Sequence, residues 1–599
     1  MAATDIITSG GIATYSIKMD GTPIPDIFRV YSFTIDKKIN QIATARMVIQ
    51  DGMADTGTFD ASSSETFKPG GKITIEAGYD ETTQLIFSGI ITGQSIRIDE
   101  MVGSALEVEC RDAAIKMIVG RKSLTYSQQK DSDIIQQIIG NYSDLTADVS
   151  ATTTVWPEQV QYYVTDWDFI LARAEINGLV VNSINGKVSV QDPAATPTPV
   201  LTISYGDNLM AFHADLNAVS QLAAVEASTW DYKNQVISSQ QAENRVDGPG
   251  NITSKQLAQV IGLENYQLQT TAPLETTDLT GWCKAQLTKS EYSKIQGTAK
   301  IQGTSLTEPG TYVTLAGLGD RFNGNHLVSG VMHDFSNGNW VTEVTIGLPP
   351  TWFIEEPDVM AQPASGLIPG ARGLFNGTVK KMFEDPDTQY RILVNVPLFD
   401  ANGAGIWARL SNFYSTNGAG AFFMPEVGDE VILGFLNEDP RYPVILGSLY
   451  SSTKNIPFTG LSPNEKNTTK AIVSKSGIYL QFDDDKKVFT IDTPGKNTIV
   501  LSDDAQKITI TDQNKNTVTM SSDGIVMQSP FNISIQADQT VTIQGKTGVK
   551  VLAPGGDVEI SGINIKETAD SQYSCEGGEM AKINSGMELA LKSAMIMIN

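Results

Sequence analysis

The feature that most constrains this chain is a beat of eight residues near its C-terminal end. In ISIQADQTVTIQGKTGVKV (533–551), apolar pairs fall at Ile533/Ile535, Val541/Ile543 and Val549/Val551, with Ile525/Met527 one step earlier. Each pair brackets one polar residue, the pattern of a half-buried strand, and the Gly, Asp, Asn and Gln between pairs read as corners. A fixed interval predicts stacking of like units. Ordering one octad costs roughly 8–16 kcal/mol of backbone entropy. Burying its two aliphatic side chains returns only roughly 3–6 kcal/mol. Neither one octad nor a hairpin of two can fold alone. Each strand has to hydrogen-bond above and below while several inward faces share one core. One chain coiled on itself as a solenoid would satisfy this, and so would three chains wound about a common axis. The period does not choose between them. Either is a slender prism that grows about 4.8 Å per stacked strand and is stiff because its hydrogen bonds run along its length.

The bulk properties narrow the class. A chain of 599 residues has room for several domains, each with its own core. Its 41% hydrophobic and 19% charged residues are ordinary for soluble globular protein. A formal net charge of −25 repels duplex DNA and anionic membrane surfaces on average, so no nucleic-acid partner is expected. Arg121-Lys122 and Lys380-Lys381 read as solvated strand ends. Cys110, Cys283 and Cys575 are too few and too scattered for a disulfide framework or a zinc site, which suits synthesis in a reducing compartment. The opening MAATDIITSGGIA has neither a basic n-region nor an apolar h-region. No apolar run approaches the ~20 residues that span a bilayer. The expectation is a protein made soluble, without a conventional signal peptide.

From Ile12 to Cys110 the chain alternates as strands between Gly-bounded turns, for example ARMVIQDG (45–52), GKITIEAGY (71–79) and SGIITGQSIRI (88–98). Two helices are predicted next. DSDIIQQIIGN offers Asp131 or Ser132 as cap, repeats Ile134, Ile135, Ile138 and Ile139, and stops at Gly140-Asn141. TDWDFILARAEING has Thr165 with Asp168 three residues on, a capping-box pattern, and ends at Asn177-Gly178. Strands resume at 187–192 and from Ile295 to Leu348. The polar interval 230–275 receives no fold assignment. A linker rich in proline and small residues runs through EEPDVMAQPASGLIPGARG (355–373). Beyond it, YRILVNVP, GIWARLSNFYS, DEVILGFLN and YPVILGSLY suit a small Greek-key barrel, an OB-fold first. After Lys475 come polar strands, then the octads, and finally SGMELALKSAMIMIN.

Catalytic constellations are not evident. His213, His326 and His333 are the only histidines, and a seven-residue gap between the last two suits no helix-borne metal pair. Asp483-Asp484-Asp485 lacks the Gly and terminal Glu of a calcium loop and reads as a charged turn. GAGAFF around Gly418-Gly420 is followed by no helical pattern, so it is not a phosphate loop. No GxSxG elbow, Walker loop or HExxH occurs. The expectation is no enzyme, no metal and no cofactor.

Three segments carry a resemblance: VTDWDFILARAEINGLVV (164–181), PEVGDEVILGFLNEDPRYPVILGSLYS (425–451) and GIYLQFDDDK (477–486). In this order they resemble VgrG-type spikes of contractile injection systems, a family spanning phage hubs and spikes, type VI secretion tips and extracellular phage-tail-like particles. The resemblance covers nearly the whole chain. It implies a mainly β architecture. Residues 1–354 would be a hub of two β-barrel subdomains with a helical insert, and 355–372 a linker. An OB-fold neck would span 373–450, a second linker 451–474, and an intertwined trimeric β-helix needle 475–599. It thereby selects the three-chain solution for the octads, with Ile525, Met527, Ile533, Ile535, Val541, Ile543, Val549 and Val551 in the needle core.

The same resemblance implies a homotrimeric, non-catalytic spike that caps an inner-tube hexamer, sits among baseplate proteins and punctures a target envelope on contraction. It would be made in the bacterial cytoplasm, incorporated into an injection particle and delivered to the extracellular space or target cell, touching the target membrane transiently. Two departures stand out. Neither a lysozyme domain nor a C-terminal effector follows the neck, and no histidine after His333 could form an HxH tip-metal pair. A separate PAAR-type cap on Met595, Ile596, Met597, Ile598 and Asn599 is the expected substitute, with effector cargo as a further partner. The alternative for the same residues is filling the last core layer. At the level of function, the alternatives are a trimeric tail fibre or adhesin and a secreted solenoid-type hydrolase.

Overall fold

The computed structural model describes residues 11–100, 103–244, 248–357, 359–458, 461 and 463–598. It divides into two compact units, Met1–Ser448 and Leu449–Asn599. The architecture is mainly β.

In the first unit, a thirteen-stranded sheet organises most of the chain before the barrel. Its main path runs Leu209–Leu216, Ile295–Gln302, Asn339–Ile346, Gly324–Ser336, Val30–Lys38, Thr44–Gln50, Gly103–Arg111, Thr82–Asp99, Lys72–Tyr79, Ala13–Met19 and Thr22–Pro23. Period-two alternation explains the first half. Phe33 and Ile35, Met47 and Ile49, Ile73 and Ile75, and Leu106 and Val108 all point into one core. A second core gathers Leu201, Ile203, Ala299, Ile301, Val313, Leu315, Val331 and Val344. The two halves meet where Val30–Lys38 pairs antiparallel with Gly324–Ser336, Phe33 opposite Phe335 and Ile35 opposite His333. The two cores therefore lie along one continuous sheet.

Helices α1 (Asp131–Gly140) and α2 (Asp166–Ile176) pack Ile134, Ile135, Ile138 and Ile139 against Trp167, Phe169 and Ile170. The Thr165 hydroxyl caps α2 by accepting from the Asp168 amide at 3.1 Å, and the helix ends at Asn177 before Gly178 at φ 70°, as the sequence predicts. At α1 the cap falls one residue early, on Lys130, and Asp131 is the first helical residue. The reason is tertiary. The Asp131 carboxylate accepts from Arg173 Nε and Nη2 at 2.7 and 2.9 Å, from Asn177 Nδ2 at 2.9 Å and from Trp156 Nε1 at 3.0 Å.

The interval left unassigned forms strands Val236–Glu243 and Tyr266–Thr270 around α3 (Ser254–Ile261). A further helix, α4 (Thr276–Tyr292), follows without having been anticipated. The predicted small barrel closes from five strands, Phe375–Lys381, Ile392–Asn395, Ile406–Leu410, Pro443–Ser448 and Glu430–Phe435. Val379, Ile392, Val394, Ala408, Val431, Leu433 and Ile445 fill it.

Candidate functional site: an apolar face on the C-terminal sheet

The second unit opens with a seven-stranded antiparallel meander: Thr469–Val473, Tyr479–Asp483, Val488–Asp492, Thr498–Ser502, Lys507–Thr511, Thr517–Ser521 and Gly524–Gln528. It begins inside the stretch expected to be linker, because Ala471 and Ile472 pair with Gln481 and Leu480. Directly opposed residues of an antiparallel ladder point to the same side. One file on this side reads Leu480, Ile491, Ile499, Ile510, Val518, Met527, each opposite the next. The parallel file reads Phe482, Phe489, Leu501, Ile508, Met520, Ile525. Phe482 and Phe489 place their ring centroids 4.9 Å apart. The other side carries Gln481, Thr490, Thr498, Thr509, Thr511, Thr517 and Thr519, with Val500 and Val526 among them.

A sheet with one wholly apolar face needs a second layer, because each buried aliphatic or aromatic side chain is worth about 1.5–3 kcal/mol and a lone sheet collects little of it. Here that face lies open. Phe482, Leu501, Ile508, Ile510, Met520, Ile525 and Met527 are all exposed within the chain.

The octad residues are distributed unevenly. Ile525 and Met527 lie on the last meander strand and oppose Met520 and Val518. Ile533, Ile535, Val541, Ile543, Val549 and Val551 lie in a stretch, 529–598, with no strand of its own, and are 47% to 71% exposed. Their strand character is not realised within one chain because no segment of that chain lies in ladder register with them; each triplet is too short to hold an extended shape unpaired. Met595, Ile596, Met597 and Ile598 are exposed likewise. Asn599 lies outside the described residues. The octad beat takes in Ile525 and Met527 but not the other ten residues of the two files. Their i, i+2 apolar pairs were visible, but they recur at nine or ten residues instead of eight.

Three titratable groups of the first unit are buried and shifted by that burial. Burial pushes His333 down to about 3, and its Nδ1 lies 3.0 Å from the Thr342 hydroxyl. Burial likewise takes His326 to about 4, with Nε2 2.8 Å from the Phe322 carbonyl. The Cys110 thiol is pushed up to about 12 by burial. A cavity of about 560 Å³ beside the second hub core is lined by groups already engaged. The Tyr292 and Tyr312 hydroxyls bond each other at 2.7 Å, and Lys294 Nζ donates to the Pro249 and Ile252 carbonyls at 2.6 and 3.0 Å. Asp483 ends one strand and Asp484 and Asp485 lie in the turn after it, as expected of a charged turn. Among the described residues, no group of three or more His, Cys, Asp or Glu is placed to hold a metal ion, and no helix is long and apolar enough to cross a membrane.

Comparison with known proteins bears on both ends of the first unit. A family model described as the Alg8 N-terminal domain matches residues 9–337, more than half of the chain. The chain belongs to the Alg8 N-terminal domain family. In this member of the Alg8 N-terminal domain family, the five-stranded barrel is matched in turn, over residues 375–450, by the type VI secretion system/phage-baseplate injector OB domain. A type VI secretion system spike protein, VgrG1c of Pseudomonas aeruginosa, is 31% identical over 78 residues, 13% of this chain and 11% of that protein. Another, VgrG3 of Vibrio cholerae, is 36% identical over 63 residues, 10% of this chain and 6% of its own length. The chain spans about a tenth of the length of the first of these curated relatives. A tail protein from Neisseria meningitidis superposes with a TM-score of 0.43 at 14% identity, covering 58% of this chain and 99% of the other. The resemblance to VgrG-type spikes is supported by the barrel's match to the injector OB domain and by the short stretches of identity to VgrG spike proteins.

Proposed function

We propose that this protein is the homotrimeric central spike of a contractile injection apparatus. Its hub caps an inner-tube hexamer among baseplate proteins, its barrel forms the neck, and residues 475–599 of three copies wind into a needle that punctures the target envelope without catalysis. The observation that carries this reading is the open two-file apolar face running into seventy residues whose apolar pairs find no partner strand in their own chain. The match of its barrel to a type VI secretion system/phage-baseplate injector OB domain supports the machine to which the spike belongs. The two buried histidines, each held by a protein oxygen, support a structural role for groups that would otherwise be candidates for chemistry. In the proposed particle a PAAR-type cap sits on Met595–Ile598, and effector cargo rides with it.

Sedimentation of the full chain tests the stoichiometry: a mass three times 64.6 kDa is expected, and a well-folded single chain at all concentrations refutes the spike. Deleting the residues after Lys475 tests the role. Particles carrying that chain should lose killing, and normal killing by intact particles would overturn the puncturing reading.

A further inference from the structure

We propose that the meander, residues 469–528, is the clamp at which copies of this chain first join, and that it sets the register in which the octads of 529–598 then wind. This rests on the trimeric reading above and adds to it an order of assembly and a division of labour.

The first argument is locality. Every ladder of the meander joins consecutive strands of one chain. Such hairpins close short loops, so they order ahead of any pairing that must draw its strands from separate chains. The octad stretch has no ladder of its own, so its strands require neighbours from other copies.

The second argument is register. In a strictly periodic segment, sliding one copy past another by a whole octad sets apolar pair against apolar pair again: Ile533/Ile535 meets Val541/Ile543, and Val541/Ile543 meets Val549/Val551. Only the ends of the needle resist such a slip, so the octads specify their alignment weakly. The meander does not share the octad beat. Its strands begin at Thr469, Tyr479, Val488, Thr498, Lys507, Thr517 and Gly524, intervals of ten, nine, ten, nine, ten and seven residues, so a slip by one octad mispairs them. Its files also carry distinct shapes in sequence: the Phe482–Phe489 ring pair near one end, Ile499, Leu501, Ile508 and Ile510 in the middle, and Val518, Met520, Ile525 and Met527 at the other. Only one alignment matches all of these.

The third argument names the occupant. Across its two files the face holds no charged residue; Lys470, opposite Phe482, stands at its margin. Two further copies of the same face can cover it without desolvating a charge, and the octad stretch that leaves it needs strands from those same copies.

Full-length variants separate the proposal from the trimer itself, with sedimentation giving mass and hydrogen–deuterium exchange giving protection. The unaltered chain should sediment at threefold mass with 529–598 protected. Ile499→Asp with Ile510→Asp should drop the mass threefold and leave 529–598 exchanging as free chain. Ile535→Asp with Ile543→Asp should keep the threefold mass and lose protection only beyond Gln528. Thr490→Asp with Thr509→Asp, on the polar side, should behave as the unaltered chain. A meander-face variant that keeps the trimer and protected octads overturns the proposal. So does an octad variant that falls to single chains, or a polar-side variant that dissociates. An unaltered chain that sediments as a single copy overturns the trimeric reading instead.

Discussion

A buried imidazole such as His333 cannot take a proton without losing hydration that nothing nearby replaces, and Lys37 adds repulsion. Its folded value of about 3 lies below the ordinary His value, so the unfolded chain binds the proton first as pH falls. Stability from this group is complete above about pH 6.5 and is lost progressively below it. His326, at about 4, acts in the same direction. Glu308, raised by burial against the pull of Lys37, acts in the opposite one. His333→Gln keeps a neutral polar group beside Thr342, and the variant's hub melting temperature should fall less steeply between pH 6.5 and 4 than that of the unaltered chain. Calorimetry over that range decides it; parallel slopes would mean that His333 is not held neutral. The ion pair beside it gives a second expectation. Lys37 is 1% exposed and donates to Glu308 Oε1 at 2.6 Å. Glu308→Leu strands the ammonium and should cost about 3–5 kcal/mol in hub unfolding by urea, most of it recovered when Lys37→Met is added. How far single residues were legible follows the range of their partners. Thr165 was read as a cap because its acceptor role is local. Asp131 was misread as a cap because Trp156, Arg173 and Asn177 claim its carboxylate from farther along the chain.

Elements were legible where one period ran unbroken. The isoleucines of α1 and the alternating strands of the barrel declared themselves, and the barrel closes on the residues that alternate. Leu433 is fully buried there, so Leu433→Ala should lower the barrel's stability by about 2–5 kcal/mol. Denaturation followed at Trp407, on one of the barrel's strands, should register that loss. Helix α4 was missed because polar residues occupy its inward face. Gln286 accepts from Trp352 Nε1 at 2.6 Å and Ser290 from the Leu222 amide at 2.9 Å, which breaks the apolar stripe beside Leu279, Cys283 and Leu287. Gly281 in its second turn weakens the helical signal further. The meander was read as polar strands for a related reason. Its outer side is threonine-rich, and the apolar files emerge only once the register places alternate residues of neighbouring strands on one side.

At the scale of the whole molecule, the proposed trimeric needle carries an expectation for its end. In an extended strand alternate residues face opposite ways, so Met595 and Met597 share one side and Ile596 and Ile598 the other. Around the proposed threefold axis only one of these pairs would fill the last core layer. The other is left outward as an apolar ring, adaptable if it is the methionines and stiffer if it is the isoleucines. Exposed apolar rings of that kind are usually covered, which is the case for a PAAR-type cap. Two paired substitutions separate the sides. Met595→Ser with Met597→Ser and Ile596→Ser with Ile598→Ser should both leave the sedimenting mass of the full chain unchanged, because the clamp lies far upstream. One of them should loosen exchange protection at the needle's end, and the other should abolish co-purification of the cap protein while leaving that protection intact. If both variants retain the cap as the unaltered chain does, the terminal residues fill the core and the cap is held elsewhere.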